Sequence, residues 1–159
     1  MNAGRILATL ALVAGAANVA MAQTATQTVT FQVNAINQIS FAGAPSLTVS
    51  TATAGSNPTS ATAAATWAVT TNQSNAKITA SIAAAMPAGL TLSANLSAPT
   101  GGTSAGSLAL GTTAVDLVTG ITKIAQGALG VTYSLDATPA AGVVASDTRV
   151  VTYTITGGT

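Results

Sequence analysis

The sequence predicts an all-β protein, an antiparallel β-sandwich of Ig-like or jelly-roll-like type with about eight strands. Three observations carry this prediction. Apolar residues recur at every second position in short bursts, and the bursts are separated by Pro, Gly and Asn turn chemistry. The third is the lack of a helical stripe. Ala is abundant, but Ala61–Ala65 and Ala83–Met86 offer one turn each at most, and the many Thr, Ser and Gly residues disfavour helix.

Successive side chains of a strand point to opposite faces, so alternation marks a half-buried strand. Gln27–Val33 (QTVTFQV) puts Val29, Phe31 and Val33 on one face and Thr28, Thr30 and Gln32 on the other. The same period predicts strands at Ser46–Ser50 (Leu47, Val49), Thr66–Thr71 (Trp67, Val69), Lys77–Ile82 (Ile78, Ala80, Ile82) and Leu90–Leu96. It continues at Gly130–Asp136 (Val131, Tyr133, Leu135) and Arg149–Thr156 (Val151, Tyr153, Ile155). Between Leu108 and Ile124 the pattern allows one strand and a second broken at Gly120. Turns are expected at Asn72–Asn75, Met86–Gly89, Pro99–Gly102 and Pro139–Gly142, where Pro presets φ and Gly tolerates positive φ. Thr51–Ala65 and Ser97–Gly106 read as loose surface loops. No repeat of solenoid length and no domain boundary is evident, so residues 23–159 read as a single domain.

Residues 1–22 read as a secretory signal peptide. Arg5 is the positive n-region, Ile6–Ala14 a short apolar stretch, and Ala20-Met21-Ala22 a small-x-small cleavage site. The apolar stretch falls far short of the roughly 20 residues that span a bilayer, so no membrane span is expected. The expected location is secreted, extracellular or on the cell surface, by Sec-type export.

After residue 22 the charged side chains are Lys77, Lys123, Arg149, Asp116, Asp136 and Asp147, which balance to zero. Without a polybasic patch there is no partner for a phosphate backbone, and nucleic acid is excluded. The chain has no His, Cys or Glu. A Ser-His-Asp arrangement, a thiolate or an imidazole zinc site therefore cannot be built. Nor do the three Asp show calcium-loop spacing. The expectation is no catalysis, no metal and no cofactor, with the charges serving solubility and Asp147 beside Arg149 at a strand end. Gly101-Gly102 with Gly106 lacks the Lys and helix of a phosphate loop. The glycosylation-type triplets at Asn72 and Asn95 match the frequency expected by chance in so Ser- and Thr-rich a chain.

Trp67 alternates in phase with Val69, which predicts core packing over sugar stacking. The two terminal segments, Val29-Thr30-Phe31-Gln32-Val33 and Val151-Thr152-Tyr153-Thr154-Ile155, share the form V-T-aromatic-x-aliphatic. They read either as neighbours in one sheet or as a donor and an acceptor. In the second case Val29, Phe31 and Val33 are the candidate donor strand, adding to a neighbouring subunit's sheet. Few charged residues guard the strand edges against such pairing.

With its alternating Thr28–Val33 strand, its Trp67 strand and its terminal DTRVVTYTIT, the chain resembles secreted bacterial β-sandwich surface proteins. These include spore-coat-U-like and other fimbrial subunits and WxL-type surface domains. The resemblance implies a structural or adhesive role outside the cell. The leading expectation is a fibre or matrix subunit that self-assembles by strand addition or engages cell-surface partners. The alternative is an extracellular glycan-binding module using loops 51–65 and 97–106 with Trp67.

Overall fold

Alternating segments become strands where another segment offers its backbone groups, and nine do so in the computed structural model, which describes residues 21–158. They are β1 (Asn37–Ala42), β2 (Ala61–Thr71), β3 (Ala76–Ile82), β4 (Leu90–Leu96), β5 (Thr103–Ser104), β6 (Leu108–Ala109), β7 (Val115–Ile121), β8 (Ile124–Ala137) and β9 (Val151–Thr156). All pair antiparallel in two sheets, ordered β1-β2-β8-β4-β6 and β5-β7-β3-β9. The protein is therefore an all-β sandwich, and among the described residues the one helical piece is a 3-10 turn at Pro139–Ala141.

The inward residues of each strand make the core between the sheets. Trp67 and Val69 from β2, Leu96 from β4 and Val131 from β8 meet Ile78, Leu117, Val118 and Ile121 from β3 and β7. Of the two sandwich types that the alternation allows, the strand order follows the immunoglobulin plan. β1-β2-β8-β4 takes the A-B-E-D positions, β3-β9 takes C-F, and β7 and β5 extend the second sheet beyond β3.

Several strands lie where their pattern is plain. β3, β4 and β9 agree with the alternation to within two residues, and the four expected turns join elements as anticipated. At the Met86–Gly89 turn, Gly89 has φ +80°, and a Cβ there would fall 2.5 Å from the Ala141 nitrogen. Only glycine fits, since both the backbone region and the neighbouring 3-10 turn exclude a side chain.

Other elements differ from their pattern, each for a physical reason. Ala61–Ala65, placed in a loop by its composition, is the first half of β2, because β8 supplies a ladder from Leu135 to Val131. Pairing overrides the low strand preference of Ala. β8 begins at Ile124, six residues before its clear alternation, since Gly127, Ala128 and Gly130 interrupt the apolar row. Ala128 has φ +55°, and the register against β2 shifts between Trp67 and Val69. β7 passes through Gly120 without breaking.

Ser46–Ser50 alternates in burial, with Leu47 and Val49 half-buried, yet belongs to no ladder. The alternation there records which side faces the core and says nothing of a backbone partner.

The chain divides between Gln32 and Val33. In the first unit, residues 21–32 are assigned neither helix nor strand, and every one is exposed. The strand expected at Gln27–Val33 is therefore absent from both sheets, and the ladder assigned to β9 is with β3. A two-faced segment needs a partner edge before its alternation becomes a strand. The predicted signal peptide lies outside the described residues except for Met21 and Ala22.

Candidate functional site: a cleft at an open sheet edge

β1 is an edge of one sheet, β9 is an edge of the other, and the two lie on the same side of the sandwich. A further strand beside β9 would take the G position of the immunoglobulin plan. Among the described residues no strand occupies it.

Burial reports the same opening. The inward residues of β3 (Ile78, Ala80 and Ile82) are at most 3% exposed, whereas Val151, Tyr153 and Ile155 on neighbouring β9 are only half-buried. Ile39 and Phe41 on β1 are half-buried too. Along this side runs a cleft of about 1280 Å³. Leu92 and Leu135 line it from the first sheet, Val151 and Tyr153 from the second, and Leu47 and Phe41 from β1 and the segment after it.

Aromatic rings bridge the two edges. Phe41 stacks on Tyr153 with centroids 3.8 Å apart, and on its other neighbour, Trp67, at 6.1 Å. The Tyr133 and Tyr153 hydroxyls hydrogen-bond at 2.7 Å. Burial, followed by the hydrogen bond with Tyr133, pushes the Tyr153 phenol above its ordinary range. The folded state therefore favours the neutral phenol. Its contribution is complete below the unfolded value of about 10 and is lost as pH rises beyond that. Thermal unfolding followed against pH should show stability falling above about pH 10, with a shallower fall in Tyr153→Phe. An identical alkaline slope in that variant would remove Tyr153 as the cause.

The rim is polar and internally balanced. Arg149 donates to Asp147 at 2.6 Å and, through Nε, to the Ala85 carbonyl at 3.2 Å. The Arg149 hydrogen bond, with one from the Thr148 N–H, holds the Asp147 carboxyl below the usual range. The other two carboxylates lie apart from it and from each other in their contacts. Asp116 pairs with Lys77 at 3.1 Å, and Asp136 accepts from the Ser60 hydroxyl. The exposed Lys77–Asp116 pair contributes little to stability.

The residues singled out in the sequence fall in different settings. Val29, Phe31 and Val33 are 73%, 89% and 76% exposed. Trp67 is 2% exposed in the core, as its phase with Val69 predicts, so its ring offers no face to a sugar. Its Nε1–H is buried without a hydrogen-bond partner. The ring bridge of Phe41, Tyr133 and Tyr153 is not predicted by the sequence, although the in-phase Tyr residues and the likeness of 151–155 to 29–33 are its traces there.

No family model, curated protein or solved structure matches the chain. The cleft is therefore interpreted from its own geometry. Among the described residues no helix is long and apolar enough to cross a membrane.

Proposed function

We propose that the protein is a structural subunit that works outside the cell and assembles by strand addition. Gln27–Val33 of one copy enters the cleft beside β9 of the next, with Val29, Phe31 and Val33 as the inserting side chains. The observation that carries this reading is the β9 edge, beside which no strand lies among the described residues, above a half-buried apolar row and a cleft lined in part by Phe41, Leu92, Leu135 and Tyr153.

The fit is chemical as well as geometric. Alternate side chains on a strand stand about 6.6–6.8 Å apart, so three of them match the inward spacing of Val151, Tyr153 and Ile155. The incoming backbone would pair with the open side of β9, and the incoming Phe31 would meet the Phe41–Tyr153 stack. Neither Gln27–Val33 nor β9 carries a charge that blocks edge pairing. Donor and acceptor are different surfaces of one chain, so each copy can give and receive. Repetition then yields an open-ended fibre.

A synthetic peptide of residues 23–34 tests the reading in trans. Added to the full chain, it should compete with assembly, and added to dilute monomer it should raise Tm. At 100 times its Kd the gain is about 2.7 kcal/mol. A peptide carrying Phe31→Asp should do neither. Absence of any Tm shift with the native peptide at millimolar concentration would sink the proposal.

A further inference from the structure

A subunit with its own donor segment and its own open cleft faces a choice, because the segment could fold back into the cleft of its own chain. The topology makes that route short. β1 starts at Asn37 opposite Thr71, β9 ends at Thr156 opposite Lys77, and Asn72–Asn75 links β2 to β3 at that same end. The root of β1 and the end of β9 are close enough that a Cβ on Gly157 would collide with Gln73 Oε1 and lie 2.6 Å from Asn37 Nδ2. A reversal at residues 34–36 would leave three residues to carry the chain from β1 in one sheet to the β9 edge of the other.

Asn72 opposes that reversal. Its backbone N–H donates to the Ile36 carbonyl at 3.2 Å. Its side-chain Oδ1 accepts from the Ile36 N–H at 2.8 Å, and its Nδ2 donates to the Asn34 carbonyl at 2.7 Å. Asn34 and Ile36 are two residues apart and present these groups to one partner, which is the period of a strand. The carboxamide of Asn72 thus stands in for the next backbone groups of β2 and extends the β1 register past Asn37. Neighbouring bonds brace it: Thr71 Oγ1 donates to Asn37 Oδ1 at 2.7 Å, and Asn37 Nδ2 donates to Gln73 Oε1 at 3.1 Å. A chain that doubles back at 34–36 cannot keep both the Asn34 and the Ile36 bond.

We infer that Asn72 is a positioning residue that holds the root of the donor segment in line with β1, so that the cleft is filled by a second copy of this chain and not by its own segment. The inference rests on the strand-addition reading. Its test compares the full chain with Asn72→Ala, Asn72→Asp and Phe31→Asp by light scattering and by the concentration dependence of Tm. Asn72→Asp keeps the acceptor for Ile36 and loses the donor to Asn34.

The native chain should grow in mass and in Tm as concentration rises. Both Asn72 variants should require about tenfold more protein for half-assembly, since each loses at least one hydrogen bond of ordinary strength. Their Tm should be less dependent on concentration, and their monomers should refuse the residue 23–34 peptide because the cleft is already filled. If Phe31→Asp assembles like the native chain, the strand-addition reading fails and this inference fails with it. If Phe31→Asp is monomeric while folded Asn72 variants assemble like the native chain, only the role of Asn72 fails. Monomeric Asn72 variants that still take up the peptide would overturn it as well. Should neither variant fold, native monomer at high dilution decides. It should take up the peptide if its own segment is held out, and refusal would overturn the inference.

Discussion

Deleting Gln23–Val33 is expected to abolish assembly and leave the sandwich folded. The nine strands run from Asn37 to Thr156, and the apolar side chains of the deleted segment are exposed in the single chain. Its removal therefore takes nothing from the core and breaks no ladder. In an assembled fibre the same segment would bury Val29, Phe31 and Val33, each contributing about 1.5–3 kcal/mol on full burial. It would also pair the outer side of β9, the last strand of its sheet among the described residues. Losing all of this at once leaves no apolar donor for the cleft. Electron microscopy and light scattering should show monomers, and circular dichroism should show an unchanged β spectrum. Fibres or oligomers that persist after the deletion would disprove the donor role.

Trp67→Ala is expected to destabilise the fold by about 3–5 kcal/mol, the range for emptying a large aromatic site. Trp67 sits at 2% exposure between the sheets and next to Phe41, so its loss opens a cavity and also loosens the ring bridge to β9. Domains of this size have about 5–15 kcal/mol in total, and with no cysteine in the chain no disulfide limits the damage. Trp67→Phe should recover most of the loss, because it refills much of the volume and removes the unpartnered indole N–H. Urea unfolding measures both. A cost below about 1 kcal/mol for Trp67→Ala would contradict its place in the core.

The fold class was legible because a sandwich face imposes a period of two, and β3, β4 and β9 display it without interruption. It was obscured where small residues carry the ladder. Ala61–Ala65 and the Gly127–Gly130 stretch have little side chain to alternate, so their pairing is decided by the strand opposite. Gln27–Val33 and Ser46–Ser50 show the reverse case, a clear alternation with no ladder. The proposed donor residues Val29, Phe31 and Val33 rest on that alternation and on the likeness of 29–33 to 151–155. The cleft could not be read from the sequence, since Val151 and Tyr153 carry the same inward pattern as fully covered Ile78 and Ile82. What separates them is whether another strand lies alongside, a property of strand order that no local pattern encodes. Asn72 was hidden more deeply. The role proposed for it depends on a carboxamide continuing a strand register, and in the sequence it is one polar residue among four in a turn.

The uncharged character of β9 and of Gln27–Val33 has a consequence for the medium in which such a fibre would hold. Attraction between ions weakens within about 10 Å at ordinary salt and further as salt rises. Neither segment carries an ion, and the charged residues beside them are paired: Asp147 with Arg149 at the cleft, and Lys77, opposite Thr156, with Asp116. The cohesion of a joint between the two segments should therefore be nearly indifferent to ionic strength, from fresh water to brine. If the chain assembles outside the cell as proposed, that indifference would let the joint hold in surroundings that no cell controls.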